Sequence, residues 1–428
     1  MPVDVDQAQS KSVESPDLKP SAASRDISVS LLTGGSDKPY VFGLATELSS
    51  KGVRQDLIAS DELDSSDFRD IPGLRFLKLR GDQNPHVSLF KKISRILSYY
   101  FKLIRYAATA KPKIFHILWN NKFLHFDRTL LTYYYKLLGK KVVLTVHNVN
   151  TEKRDKKDSS FNRFTLRIQY RLADHLFVHT EKMKHELIDE FGVRSARISV
   201  IPLGINNFAP QTSLTPDEAK QRLGIRTDEK AILFFGRITP YKGLEILVEA
   251  FQKGLPRGGN YRLIIAGRPE EATEAGYWFP IRDALQEDVR KGRVLLRAAH
   301  IPDEETELYF KAADVVVLPY RDIYQSGILF LGYSFGLPAL AANVGSLKDE
   351  MIEGRTGFLF QPEDPADLVK SIERYFGSDL YKGLSQRRLE IQDYARQGHD
   401  WSIVGQTSIG VYDALLRKPL LSHPPDFS

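Results

Sequence analysis

The sequence predicts an α/β protein of two doubly wound domains facing one another across a cleft. Short apolar runs recur through residues 27–201 and 231–359, separated by stretches of helical periodicity. That is the pattern of parallel strands buried on both faces. The arrangement occurs twice, either side of a polar stretch from Asn206 to Thr215, and 428 residues are enough for two cores. The first strands of the two halves run out at Gly34 and Gly236, where an open sheet meets its ligand.

In the first half the strands are expected over Ile27–Leu32, Gln55–Ala59, Leu74–Leu79, Lys113–Leu118, Val142–Val146, His175–Val178 and Ile198–Ile201. Thr33–Ser36 is a turn and Val41–Leu48 a helix. The second half places strands over Ala231–Phe235, Tyr261–Ala266, Arg293–Leu296, Val315–Leu318, Pro338–Ala341 and Gly357–Leu359. The domain division read from this is a disordered leader over 1–26, a first domain over 27–204 and a linker with the next domain's start over 205–228. A second domain over 229–400 and a closing helix and tail over 401–428 follow. The closing helix is long enough to cross back to the first domain. The leader is polar and lacks the apolar core of a secretory signal.

Composition excludes several classes. There is no cysteine, so neither disulfides nor cysteine-ligated metals are available, and the ten histidines show no metal-ligand spacing. No run approaches the ~20 apolar residues of a membrane span. Neither a dinucleotide-binding glycine fingerprint nor a P-loop follows any strand, which weakens NAD and ATP readings.

The net charge of +6 is unevenly placed, with 18 Lys or Arg against 4 Asp or Glu between His86 and Tyr170. That half therefore faces something anionic. Residues 88–110 set Leu89, Ile93, Ile96, Leu97, Tyr100, Phe101 and Ile104 against Lys91, Lys92, Arg95, Lys102 and Arg105. Residues 130–141 set three tyrosines beside Lys136, Lys140 and Lys141. Both suit an anionic membrane surface, or else pack on the sheet with snorkelling cations. No nucleic-acid module accompanies the charge, so nucleic acid is not the expected partner. The expected location is cytoplasmic, peripheral at the inner membrane face.

The densest chemistry lies in Ile232–Phe251, ILFFGRITPYKGLEILVEAF. A strand breaks at Gly236 and restarts as a helix after Pro240 and Gly243, which leaves backbone N–H groups facing the crevice. Arg237 and Lys242 add two cations there, making an anion pocket fit for a diphosphate. A surface loop with two solvated cations is the plain alternative.

GRITPYKG, IAGRPEE, IPDEETELYFKAADVVVLPYR and FGLPALAANVGSLKDEMIEGRTGFLFQPEDPADLVKSI resemble the donor domain of family 4 (group 1) glycosyltransferases. TGGSDKPYVFGLATELSSKG, VVLTVHNVN and ISVIPLGINNF extend the resemblance more loosely into the first half. It implies the GT-B fold, two Rossmann-like domains, and transfer of a sugar from a nucleotide donor with retention of configuration. It also implies no metal or other cofactor, the nucleotide sugar being a co-substrate, and a lipid-linked or glycan acceptor. On this pattern Arg237 and Lys242 hold the diphosphate, with Gly34, Gly35, Gly236 and Arg268 also beside the donor. His147, at the end of VVLTV, falls where the family has a histidine near the reacting carbon. Front-face attack, with the leaving diphosphate taking the acceptor's proton, needs no general base. The expected catalytic residues are His147, Arg237 and Lys242.

The chain departs from the family at its paired glutamates. With Gly327 aligned to the motif glycine, Tyr324 stands at the first glutamate and Gly332 at the second. Gln325 and Asp322 lie close enough to substitute for the first, and Ser326 and Gly327 begin a helix able to bind phosphate. Tyr324 is then a donor contact or a packing aromatic, and Arg321 a third phosphate cation or a surface residue. A non-catalytic sugar-nucleotide-binding protein and a GT-B epimerase are the alternative functions.

On the acceptor side, Asn148 and Asn150 bond sugar hydroxyls or cap a turn. Lys153 and Arg154, with Lys156 and Lys157, contact a phosphorylated acceptor or form a solvated face. His179, Thr180 and Glu181 close the next strand at the same edge. Gly34 and Gly35 permit close backbone approach or make a simple tight turn.

Overall fold

The computed structural model describes residues 26–34, 37–82, 87–155, 157–205, 209–256 and 260–417. Apart from Asp26, the expected leader lies outside them, as do Gly35 and Lys156. In the first lobe, β1 (Ser28–Thr33), β2 (Arg54–Ser60), β3 (Leu74–Gly81), β4 (Ile114–Trp119), β5 (Lys141–Val146), β6 (His175–Val178) and β7 (Ile198–Val200) form one parallel sheet. Its order is β3-β2-β1-β4-β5-β6-β7. In the second, β8 (Lys230–Phe235), β9 (Tyr261–Ala266), β10 (Val294–Arg297), β11 (Val315–Leu318), β12 (Ala339–Ala342) and β13 (Gly357–Phe360) form another. Its order is β10-β9-β8-β11-β12-β13. Each expected strand is present, with ends within two residues of those read from the sequence.

Both sheets are apolar on both faces because helices cover both. Val29, Leu31, Ile232, Leu233 and Val315 to Val317 are wholly buried. In each sheet the connections change direction beside the first strand, between β1 and β4 and between β8 and β11. A crevice opens at such a switch point, outside the carboxyl ends of the strands. Gly34 and Trp119 stand at one, Gly236 and Pro319 at the other.

Residues 216–222, within the stretch expected as linker and domain start, form a helix opened by a Thr215–Glu218 capping box. The Trp401–Leu416 helix packs against the Lys38–Ser50 helix of the first lobe. Trp401 lies over two glycines: a Cβ on Gly43 or Gly204 would stand 2.0 or 2.3 Å from its ring. Its Nε1 donates to the Ile205 carbonyl at 2.8 Å. Further along, the Tyr412 hydroxyl meets His116 Nδ1 at 2.6 Å.

Outside the sheet, the Leu89–Thr109 helix has two apolar faces. Tyr99, Tyr100, Leu103 and Ala107 are buried against the core, whereas Phe90 is 83% exposed, Leu97 58% and Phe101 69%. Of the three lysines expected to accompany residues 130–141, Lys136 is paired with Asp174 at 2.5 Å. Lys140 is buried on the Ala110 and Pro112 carbonyls. That stretch exposes Leu130, Tyr133 and Leu137 instead.

Trp401→Ala is expected to cost about 3–5 kcal/mol, the range for emptying a buried aromatic site, with a lower urea midpoint by tryptophan fluorescence. Gly43→Ala should lower it as well, because the methyl has nowhere to go. An unchanged midpoint in both would refute this docking.

Candidate active site at the mouth of the cleft

The second lobe's part of the site is built by glycines. Gly236 follows β8 at φ +99°, and a Cβ on Gly267, which follows β9 at φ +156°, would fall 1.8 Å from the Gly236 oxygen. Gly243, at φ +63°, passes so close to the loop after β11 that its Cβ would lie 2.1 Å from the Pro319 oxygen. Only residues without side chains let these three turns meet. Into that junction the Pro240–Lys242 turn delivers Lys242, whose Nζ would touch a Cβ at Gly236 at 3.0 Å. It lies 5.7 Å from the Tyr320 ring centre.

Lys242 is buried and has no carboxylate within ion-pair distance among the described residues. Burial, then the nearby Arg237 and Arg154, push its ammonium down to about 8. Arg237 is more open, with its side chain 62% exposed and 3.9 Å from Glu270. Arg268 is exposed beside it. Arg154 arrives from the other lobe: its guanidinium stacks on Tyr241 at 4.3 Å. Lys242, Arg237 and Arg154 thus bring three cations from two lobes around one glycine turn. Ser326 caps the Gly327–Ser334 helix, and its hydroxyl lies 3.4 Å from that of Tyr320. Gly327 is exposed at the first turn.

The loop after β11 is tied down by Arg321. This side chain binds Glu245 at 2.6 Å and Glu363 at 3.4 Å and donates to the Pro240 carbonyl, so it fastens the two donor-side loops together. Tyr324 reaches across the cleft, its hydroxyl donating to Glu186 Oε1 at 2.8 Å, and its ring packs on the first lobe's core. Gln325 has both side-chain amide atoms buried without a partner, a state that costs about 1–3 kcal/mol until a ligand satisfies it. Gly332 is buried, and its Cβ would sit 3.2 Å from a side-chain methyl of Val316 of β11, so a longer side chain there crowds that methyl.

In the first lobe, Gly34 is pressed against β4, where a Cβ would fall 2.2 Å from the Asn120 oxygen. Contact between strand ends therefore accounts for this glycine. His147 follows β5, its ring stacked on Trp119 at 4.2 Å and meeting the Tyr40 edge at 4.8 Å. Its Nδ1 lies 3.1 Å from His179 Nε2, while its Nε2 is buried and unpartnered. Burial first, then His179, push its pKa well below the usual value. Beside it opens a cavity of about 280 Å³ lined by Trp119, Asn120, Arg128, Asn148, Glu152 and Gln169 among others.

The remaining candidates are engaged within the fold. Asn150 caps a turn through Lys153 N and accepts from Asn162. Lys153 pairs with Glu190 at 2.5 Å. Thr180 caps the Glu181–Phe191 helix, and Glu181 pairs with Lys184 at 3.6 Å. Glu186, Trp119 and Tyr40 went unremarked in the sequence, where nothing beyond helical spacing or a strand-end aromatic singles them out.

Residues 216–397 match the family described as Glycosyl transferases group 1, and residues 38–207 the one described as Glycosyltransferase Family 4. The chain is 29% identical over 254 residues to a D-inositol 3-phosphate glycosyltransferase of Acidothermus cellulolyticus, covering 58% of this chain and 54% of that protein. Against one named likewise from Corynebacterium urealyticum it is 24% identical, covering 71% and 68%. Thus the chain spans little over half of the first of these relatives. Among solved structures, Anabaena HepE in complex with UDP-glucose superposes with a TM-score of 0.70 at 15% identity, over 91% of this chain and all of that one. Sucrose-phosphate synthase of Thermosynechococcus elongatus gives 0.67 at 17%, over 91% and 99%.

Only the ammonium form of Lys242 pairs with a diphosphate. Affinity for a nucleoside diphosphate is therefore expected to fall as pH rises through about 8. Calorimetric titration at pH 7 to 9.5 checks this. The fall should be absent in Lys242→Arg, whose charge persists, and a flat wild-type profile would refute the assignment.

Proposed function

We propose that this chain, which belongs to the family 4 (group 1) glycosyltransferases and has their GT-B fold, transfers a sugar from a nucleotide-sugar donor to an acceptor hydroxyl. The reading includes retention of configuration and no metal. The observation that carries it is the buried, carboxylate-free Lys242 at Gly236, flanked by Arg237 and by Arg154 of the opposite lobe. In the transfer, the acceptor oxygen bonds to the anomeric carbon and the bond from that carbon to the diphosphate breaks. The acceptor's proton passes to the departing diphosphate. Charge builds on the leaving oxygens, where preorganised cations and N–H groups lower the barrier most. Ser326, Gly327 and the idle amide of Gln325 complete the donor side. His147, neutral and of depressed basicity, serves as a polar contact. The relatives' name, D-inositol 3-phosphate glycosyltransferase, supports glycosyl transfer, and the UDP-glucose bound by HepE supports a sugar-nucleotide donor.

One observation favours the non-catalytic reading: both of the family's usual glutamate positions are occupied otherwise, by Tyr324 and Gly332. Nucleotide release from UDP- and GDP-sugars separates the two. Turnover reduced about tenfold to hundredfold by Arg237→Ala and by Lys242→Ala, the range for losing a charged contact, supports the enzyme. Binding without turnover on lipid-linked and glycan acceptors alike supports the binding protein.

The acceptor proposed is lipid-linked or a polysaccharide end, met at an anionic membrane face through the Leu89–Thr109 helix. The exposed Phe90, Ile93, Leu97, Phe101 and Ile104 recur every three or four residues, and Lys91, Arg95, Lys102 and Arg105 fall along one flank at 100° per residue. No helix among the described residues is long and apolar enough to cross a membrane. Vesicles containing anionic lipid should sediment the protein, and Leu97→Asp with Phe101→Asp should abolish this while leaving donor binding intact. Equal binding by the double variant would refute the surface.

A further inference from the structure

Three neighbouring helices of the first lobe cover one side of its sheet and leave their outer sides apolar. The Leu89–Thr109 helix, the helical stretch 124–137 and the Ser160–Leu172 helix bury Tyr100 and Leu103, Leu131 and Tyr135, and Leu166 and Tyr170 in one common core. They lie side by side, since the Tyr134 hydroxyl donates to the Ile104 carbonyl at 3.3 Å and Arg128 Nη1 to Asn162 Oδ1 at 2.6 Å. Of the 17 exposed large apolar side chains among the described residues, 13 fall from Leu89 to Phe164, so the exposure belongs to this whole side and not to the first helix alone. Leu137, 67% exposed, and Phe161, 59%, are as open as Phe101 and Leu97. The three helices carry a single acidic residue, Asp127, and it is buried, accepting from the Tyr100 hydroxyl and the Asn121 N–H. Their exposed charges are therefore all positive, among them Lys91, Lys102, Arg105, Arg167 and Arg171.

We infer that the first lobe rests on an anionic bilayer along the outer side of all three helices, with the mouth of its cavity at the level of the lipid headgroups. This rests on the membrane reading of the Leu89–Thr109 helix and deepens it. Apolar side chains interspersed with cations alone fit a surface that is negative outside and hydrocarbon beneath. A second copy of this chain would instead set like charges against each other. The cavity of about 280 Å³ is walled by the inner sides of two of these helices, with Leu124 and Arg128 from one and Leu166, Gln169 and Tyr170 from the other. Leu124 also reaches the outer surface, and beside it Phe161 packs against His125 at 4.6 Å. The rim toward the bilayer is thus apolar, whereas Asn120, Arg128, Asn148 and Glu152 make the interior polar. A hydrocarbon chain suits the rim and a headgroup the interior. Of the two acceptor classes, this placement selects a lipid whose headgroup rises into the cavity while its chains stay in the membrane.

The chain has no cysteine, so single ones can be introduced and labelled with an environment-sensitive fluorophore. Leu97→Cys, Leu130→Cys and Phe164→Cys report the three helices, Leu124→Cys the cavity mouth and Leu389→Cys the second lobe. All five side chains are exposed, so their replacement leaves the fold intact. On vesicles of phosphatidylcholine mixed with phosphatidylglycerol, the emission of the first three should shift to the blue and that at 389 should not. Lipids carrying a nitroxide on the acyl chain should quench those three most, and lipids carrying it on the headgroup should quench the label at 124 most. A shift at 97 alone would overturn the inference while leaving the single-helix reading standing. A label at 124 quenched by neither lipid would put the mouth away from the headgroups and overturn it too. So would a shift at 389, the mark of indiscriminate insertion. No shift at any position, with no sedimentation of the unlabelled protein, would bring down both readings together.

Discussion

A buried ammonium group with no carboxylate beside it is the constraint around which the second lobe is arranged. Lys242 is brought down from 10.5 to about 8, which at about 1.4 kcal/mol per unit is a penalty of about 3 kcal/mol on its charged form. A fold meant only to be stable would pair such a lysine or turn it outward. Here the surrounding glycines make either escape difficult. Gly236 and Gly267 bring two strand ends into backbone contact, and Gly243 seats the following helix against Pro319. Lys242 is thereby delivered into the junction with its charge unmatched, and a polyanion relieves the penalty directly. Arg154 strengthens the same field from the opposite lobe, so the anion site is complete only with the lobes together.

That dependence makes the seam part of the site. The Trp401–Leu416 helix, although last in sequence, belongs physically to the first lobe, because Trp401 fits only over Gly43 and Gly204. Arg154 on Tyr241 and Tyr324 on Glu186 add two further contacts across the cleft. Tyr324 is the more informative of the two. Its loop is fastened to the Lys242 turn by Arg321, so a shift of the first lobe is felt at the anion site through one short, stiff segment. A carboxylate at 324 would face Glu186 as a like charge, whereas a phenol can donate to it. The departure from the family pattern at this position thus has a local physical account, whatever its effect on the chemistry.

How much was legible in the sequence follows from the range of the interactions. The strands were, because burial on both sheet faces imposes unbroken apolar runs that local composition reports. The strand–turn–helix geometry after β8 was, because Gly236, Pro240 and Gly243 are set by backbone conformation within eight residues. Long-range partners were not. Asn150 reads equally as a sugar contact or a turn cap, and Thr180 as an acceptor-side candidate, until their capping bonds are seen. Lys153 reads as a free cation until Glu190 is placed a helix away, and Lys136 and Lys140 read as surface charge until Asp174 and the Ala110 carbonyl meet them. Arg154 is the converse case. It sits in the same charge run as Lys153 and pairs with its neighbour Asp155, yet its guanidinium also crosses the cleft to Tyr241, near Lys242. Nothing in a linear string of lysines and arginines distinguishes the one that crosses a cleft from those that stay within their own lobe.

The two lobes also treat charge in opposite ways, and this orders the chemistry. In the second, a buried ammonium has no carboxylate beside it among the described residues, which suits a group that arrives and departs as an anion. In the first, at the ends of β5 and β6, two neutral histidines are joined to each other and to a carbonyl. Burial suppresses their charge, and the aromatic wall of Trp119 and Tyr40 excludes water from one side. The cavity beside them nevertheless carries a cation and a carboxylate, Arg128 and Glu152, so the contrast between the lobes lies in the histidine pair against the lone ammonium of Lys242 and not in the whole of either wall.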